Sequence, residues 1–210
     1  MSDEPKDLSK AYDCVAKHYV DEFFDELSRK PFDRDLLDRF AKEVHGAGPV
    51  WEIGCGPGQI ARYLKDRGVD MFGLDLSKEM VAWARKLNPD ISFERGTMLK
   101  LNAPDGVWAG IVCFYAIIHL NRSDVPLAFA EFHRVLKPGG RLLVSFHGGE
   151  GEVTAENWFG EPVSVSATLF HKDEIARHLG SAGFKVEEIL SRPPYEFEFQ
   201  TERVYVLGRK

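Results

Sequence analysis

The segment Glu52-Ile53-Gly54-Cys55-Gly56-Pro57-Gly58 places glycine at three alternate positions directly after the apolar run Val50–Ile53. Glycine lets a backbone approach a ligand where any side chain would collide. A helix expected from Gln59 would turn free N–H groups and the positive end of its dipole toward that ligand. Asp75 ends the next apolar run, about twenty residues further on, where a carboxylate can accept hydrogen bonds from ribose hydroxyls. The plainer alternative for Asp75 is a cap on the turn before Ser77. A dinucleotide fingerprint would read G-x-G-x-x-G, but counting from Gly54 its last position is Gln59, and the glycine comes one place early at Gly58. That spacing argues against an oxidoreductase holding a pyrophosphate.

The elements that must position these groups follow from hydrophobic period. Tyr12, Val15, Ala16, Tyr19, Phe23 and Leu27 recur at three and four, the face of one helix. Pro31 interrupts it. Leu36, Leu37, Phe40, Ala41 and Val44 form a second helix with Asp33 as expected N-cap. Strands are expected over Val50–Ile53, Met71–Asp75, Ile91–Glu94, Gly110–Tyr115 and Arg141–His147. Between them lie helices from Gln59, from a cap at Ser77 and from a cap at Ser123, the last ended by Lys137-Pro138-Gly139-Gly140. Alternating strands and helices imply parallel pairing through right-handed crossovers. A helix over His171–Ala182 and strands Phe184–Leu190 and Glu202–Gly208 close the chain, the last two antiparallel because no helix fits between them. The fold class is α/β: a doubly wound, mostly parallel seven-stranded sheet with an antiparallel last strand. One domain spans 1–210, with a helical arm over 1–46. Residues 148–168 are rich in glycine and acids and break the rhythm, as a lid over a site would.

Bulk properties limit the partners. At 210 residues and 44% hydrophobic, the chain can bury one ordinary core. The apolar run Ile111 to Leu120 is too short to cross a bilayer, and the polar stretch Met1 to Lys10 lacks a secretory signal's pattern. Three widely spaced cysteines fit a reducing compartment. The expectation is a cytoplasmic protein without a membrane. A net charge of −6 and no basic run argue against nucleic acid. No metal motif occurs.

Taken in order, the motifs resemble the class I S-adenosylmethionine-dependent methyltransferases. Glu52-x-Gly54-x-Gly56-x-Gly58 is similar to their first motif and Gly73-Leu74-Asp75-Leu76-Ser77 to their second. Arg134-Val135-Leu136-Lys137-Pro138-Gly139-Gly140-Arg141-Leu142 is similar to the approach to their fifth strand. Tyr12-Asp13-x-x-Ala16-x-x-Tyr19 resembles the arm of the small-molecule branch. The resemblance implies S-adenosylmethionine as cofactor, S-adenosylhomocysteine as product and a small molecule as methyl acceptor. It implies that Gly54, Gly56 and Gly58 admit the methionine end, Glu52 reaches its amino group, Asp75 holds the ribose, Leu76 lies on the adenine and Tyr19 covers the cofactor. Tyr115 would contact cofactor or line the pocket. The chain departs from the family at Gly96-Thr97-Met98, where an acid is usual near the adenine amino group; Thr97 can still hydrogen-bond and Met98 can pack on the ring. Gly110 stands where an Asp is usual before the fourth strand.

Methyl transfer asks chiefly for alignment and exclusion of water. A base is needed only if the acceptor must lose a proton. His119, just past the fourth strand, is the candidate, against a structural histidine bonding a loop; His147 is second. Trp158, Phe159, Phe170 and Tyr195 are candidates for the acceptor pocket. Cys55 and Cys113 read as packing residues. Pro193-Pro194-Tyr195 reads as a rigid turn, since Arg192 precedes it and it comes too late in the chain for an adenine-methylating motif. Other functions open to such a chain are methylation of RNA or protein, and cofactor binding without turnover.

Overall fold

The computed structural model describes residues 4–210, with side chains from Leu8 onward. Residues 1–3, which open both the polar stretch and the 1–46 arm, lie outside the described residues. The chain runs α1 (Glu4–Phe23), α2 (Pro31–Val44), β1 (Val50–Ile53), α3 (Gln59–Lys65), β2 (Met71–Asp75), α4 (Lys78–Leu87), β3 (Ser92–Arg95), β4 (Trp108–Phe114), α5 (Val125–Val135), β5 (Leu136–Gly148), β6 (Glu152–Ala155), β7 (Val165–Thr168), α6 (Lys172–Ser181), β8 (Lys185–Arg192) and β9 (Glu202–Arg209).

Seven strands form one sheet in the order β3-β2-β1-β4-β5-β9-β8. The five strands β1 to β5 pair in parallel, and β9 runs antiparallel to both β5 and β8. Strand order reverses between β1 and β4, the crevice where ligands enter open α/β sheets. β4 is apolar along almost its whole length because it is covered on both faces. One core packs Phe129, Phe132 and Phe146 on one side of the sheet; another packs Phe40, Leu64 and Tyr205 on the other.

Several local expectations change. Asp33 does not cap α2. Pro31 occupies the first turn, Lys30 sits at the N-cap without a side-chain bond, and Asp33 is buried at 1% exposure with its oxygens on Arg192 and Tyr205. An ion partner from a distant strand outcompetes a local cap. Ser123 does not cap α5 either; Asp124 holds that place, bonded instead to Asn121. Ser77 does cap α4, accepting from the Met80 N–H at 3.1 Å. Lys137 to Gly140 does not separate α5 from its strand. The backbone passes straight from α5 into β5, where Leu136 pairs with Trp108 and a bulge absorbs the glycines before Gly110 pairs with Arg141. β4 accordingly starts at Trp108, earlier than expected. Residues 148–168 are not structureless: β6 and β7 pair as a separate two-stranded sheet. Gly110 lies against Phe40, Val44 and Val50, so the position usual for Asp is given over to packing α2 on the sheet.

Candidate active site

A cavity of about 440 Å³ opens at the carboxyl ends of β1, β2 and β4. The loop after β1 makes its floor. Gly54, Gly56 and Gly58 all have positive φ, at 71°, 50° and 83°. They do different work. A Cβ on Gly54 would meet Ala116 Cβ at 2.3 Å, so this glycine lets the loops after β1 and β4 touch. A Cβ on Gly56 would face the cavity, with the Tyr19 ring its nearest neighbour at 3.8 Å. Gly58 does not line the cavity: it starts α3 in a left-handed conformation and packs against Phe93 and Asn88.

Asp75 ties the floor together. Its Oδ2 accepts from the Gly56 N–H and its Oδ1 from the Ser77 N–H, both at 2.8 Å. Both readings of this residue therefore coexist: it shapes the turn, and each oxygen keeps a further lone pair for a ligand hydroxyl. Burial raises its pKa and the backbone bonds oppose that rise. Glu52 is 2% exposed and accepts from the Ala61 N–H at 2.7 Å; burial pushes its carboxyl well up. Leu76, Thr97 and Met98 complete this end. A cradle that only glycine can form, beside a carboxylate with lone pairs to spare, fits a nucleoside carrying a methionine-like tail.

The N-terminal helix closes the cavity from above. Asp13 accepts from Ser77 Oγ at 2.6 Å and from the Glu79 N–H at 3.1 Å, and Ser9 donates to the Leu76 carbonyl, so α1 is fastened to the corner between β2 and α4. That docking aims Tyr12 and Tyr19, seven residues apart on one helix face, at Trp158 from the β6–β7 connection, ring centroids 5.2 and 5.8 Å apart. Of the four aromatics expected at an acceptor pocket, Trp158 alone lines the cavity. Phe159 stands behind it, stacked on Trp158 and His18 and edge-on to Phe23. Phe170 is wholly core, because it lies under β5 against Phe146. Tyr195 points back to the Phe32 N–H. Cys55 and Cys113 are buried and Cys14 exposed; burial lifts the Cys113 thiol to about 12.

His119 does reach the cavity, with a partner that its own neighbourhood in the sequence does not reveal. Its Nδ1 lies 2.9 Å from the Ser166 carbonyl, which can only accept, so Nδ1 carries the proton. Nε2 is left bare and receives the Tyr12 hydroxyl at 2.6 Å. Burial lowers the His119 pKa, while the Ser166 bond opposes the shift, and burial followed by the charge of Asp75 raises that of Tyr12. His147 also lines the cavity, but burial and then the neighbouring Arg203 drive it down to about 3. It is neutral across the physiological range.

Tyr115, directly after β4, has φ +50°, uncommon for a bulky residue. Its ring lines the cavity while its hydroxyl meets Tyr205 at 2.9 Å, in a buried network of Asp33, Arg192 and Glu198. Lys30, Glu198 and Arg203 join the wall beyond Tyr115. None of the three was marked in the sequence. The available signal was period two: Arg203 shares a strand face with Tyr205.

Residues 50–140 match the sequence profile of a methyltransferase domain. The chain is 30% identical over 148 residues to a demethylmenaquinone methyltransferase of Beutenbergia cavernae, covering 69% of this chain and 60% of that protein. It is 33% identical to a malonyl-[acyl-carrier protein] O-methyltransferase of Serratia marcescens, covering 66% and 56%. The chain thus spans little more than half the length of these relatives. A crystal structure of a SAM-dependent methyltransferase from Methanosarcina mazei superposes with a TM-score of 0.71 at 17% identity, over 77% of this chain and 92% of that one. Strand order, glycine floor, carboxylate and these likenesses agree. The chain belongs to the class I S-adenosylmethionine-dependent methyltransferases, whose cofactor is S-adenosylmethionine.

Proposed function

We propose that this chain transfers the methyl group of S-adenosylmethionine to a small molecule, with donor and acceptor side by side in the one cavity. The observation that carries this reading is the junction at Asp75. The carboxylate that would hold a ribose is bonded to the Gly56 N–H of the loop that would hold the methionine end, and both lie under the arm that carries Tyr12 and Tyr19. The names of the relatives, a demethylmenaquinone methyltransferase and a malonyl-[acyl-carrier protein] O-methyltransferase, support an acceptor group of small size. In this reading Asp75 binds the ribose hydroxyls, Leu76 and Met98 flank the adenine and Thr97 meets its edge. Glu52 lies at the methionine amino group, and Gly54 and Gly56 leave room for the chain. Gly58 acts indirectly, by starting α3. The cofactor supplies a methyl group on a positively charged sulfur, transferred by in-line displacement.

This chain's own contribution is alignment, exclusion of water and removal of one proton. Tyr19 and Trp158 seal the cavity from solvent. The acceptor's proton passes to the Tyr12 oxygen as Tyr12 gives its own to His119 Nε2, the nitrogen that the Ser166 carbonyl keeps bare. Among the described residues no helix is long and apolar enough to cross a membrane. A cytoplasmic location belongs to this proposal on the wide spacing and odd number of the three cysteines.

Calorimetry with S-adenosylhomocysteine tests the assignment. Asp75→Ala should lose about 1.5–3 kcal/mol for each charge-assisted bond removed. Equal affinity in a folded variant would refute the ribose role.

A further inference from the structure

The wall beyond Tyr115 holds an arrangement of charges that cofactor binding does not account for. Lys30 and Arg203 are 7% and 5% exposed, yet both line the cavity. They come from separate parts of the chain and approach the same Tyr115 ring, at 5.8 and 5.3 Å from its centroid. Burying a charge is costly unless it is paired and hydrogen-bonded. Lys30 meets that condition through Glu26 at 2.7 Å and Glu198 at 3.1 Å. Arg192 meets it through Asp33 at 2.8 Å and Glu198 at 2.7 Å.

Arg203 does not meet it. Glu198 is occupied by both Arg192 nitrogens, by Lys30 and by the Tyr195 N–H, and its Oε2 stands 3.6 Å from Arg203 Nε. That Nε has no hydrogen-bond partner. The two terminal nitrogens of Arg203 reach neutral groups, the His147 ring at 2.6 Å from Nδ1 and 3.3 Å from Nε2, and the Phe199 carbonyl at 2.8 Å. His147 Nδ1 also meets the Thr201 hydroxyl at 2.7 Å. The wall therefore offers donors: a guanidinium with no carboxylate hydrogen-bonded to it, and an ammonium. Phe197 and Phe199, both exposed, border it with apolar surface.

We infer that this wall is the subsite for a carboxylate carried by the methyl acceptor, a small acid whose apolar body lies along Tyr115, Phe197 and Phe199. The guanidinium fork matches a carboxylate's two oxygens, and replacing the His147 contact by an anion would give Arg203 a hydrogen-bonded carboxylate beside its longer 3.6 Å approach to Glu198. The inference rests on the methyl-transfer reading for the presence of an acceptor. The other source of a carboxylate is the cofactor's own methionine end, and the experiment separates the two.

S-adenosylhomocysteine binding is measured first, in wild type, Arg203→Gln and Arg203→Lys. Enzyme saturated with it is then screened by ligand-observed NMR against small aromatic and aliphatic carboxylic acids, each beside its primary amide. Acids should bind in preference to amides. Arg203→Gln should weaken them about tenfold or more, the loss expected for a hydrogen bond to a charged group, while Arg203→Lys retains part of the affinity. S-adenosylhomocysteine affinity should not move. Equal binding of acids and amides, or no acid binding, overturns the subsite. A fall in S-adenosylhomocysteine affinity in Arg203→Gln gives the carboxylate to the cofactor and also overturns it. If Arg203→Gln fails to fold, Arg203→Lys carries the comparison. Wild-type protein that does not bind S-adenosylhomocysteine at all would refute the cofactor reading, a result separate from any outcome of the acid screen.

Discussion

His119 is held in one tautomer by the Ser166 carbonyl and faces the Tyr12 hydroxyl with its bare nitrogen. Its pKa lies below the usual imidazole value because burial disfavours the charged ring. The proton-accepting form is therefore favoured at pH 7. Turnover should stay level through neutrality and fall only on the acid side of about 6.5, as the ring protonates and releases Tyr12. His119→Gln should cost about 10²–10⁴-fold in kcat, the range of general-base catalysis, with S-adenosylhomocysteine affinity unchanged. A pH–rate profile and a binding measurement check both. Unchanged kcat in that variant would leave His119 a structural link between loop and hairpin. That Asp75, Gly54 and Gly56 meet at the cavity floor was legible from type and spacing; that Gly58 stands behind it, starting α3, was not. The partnership of Tyr12 with His119 was not, because it spans 107 positions and depends on how α1 docks.

At the scale of elements, the arm and the β6–β7 hairpin form one cover. Trp158 stands between Tyr12 and Tyr19, and Ser166 on β7 reaches His119. Opening either piece breaks contacts of the other. Hydrogen exchange over 148–168 and over α1 should therefore slow together when cofactor and acceptor are bound. Trp158→Ala should weaken turnover while leaving S-adenosylhomocysteine affinity nearly unchanged. Equal protection of 148–168 with and without ligands would exclude a moving lid. Strand positions were readable to the residue for β1 and β2, since a strand buried in the sheet is mostly apolar, Glu52 being the exception in β1. Helix starts were less so. Asp33 and Ser123 have the chemistry of caps, and the decision rested on Arg192 in one case and Asp124 in the other. The hairpin escaped notice because β6 is mostly exposed and carries little apolar signal.

At the scale of the whole molecule, the network of Asp33, Arg192, Glu198 and Tyr205 ties α2 to β8 and β9 behind the site. Burial raises the Glu198 pKa, but hydrogen bonds from Arg192 and the Tyr195 N–H outweigh it and leave it at about 2. A carboxyl depressed on folding adds stability above its unfolded pKa, and this is lost as pH falls from about 4.5 toward about 2. Removing one partner is worse than titration, because it strands buried charge. Arg192→Met should cost about 3–5 kcal/mol in urea unfolding, a loss that Arg192→Lys only partly repairs. A cost no larger than that of a surface ion pair would show the network to be well hydrated.

β9 follows β8 in the chain yet lies between β8 and β5. During synthesis β5 emerges long before the strand that covers its open side. Until Glu202–Arg209 leaves the ribosome, Leu142, Leu143, Val144 and Phe146 belong to a strand with a free edge, and β8 has nothing to pair with. A free, apolar edge is a template for a neighbouring chain, and a domain completed by its latest segment exposes that template longest. The newborn chain is thus most prone to aggregate in the interval before β9 emerges, and slow translation of the stretch between β8 and β9 would prolong its dependence on chaperones.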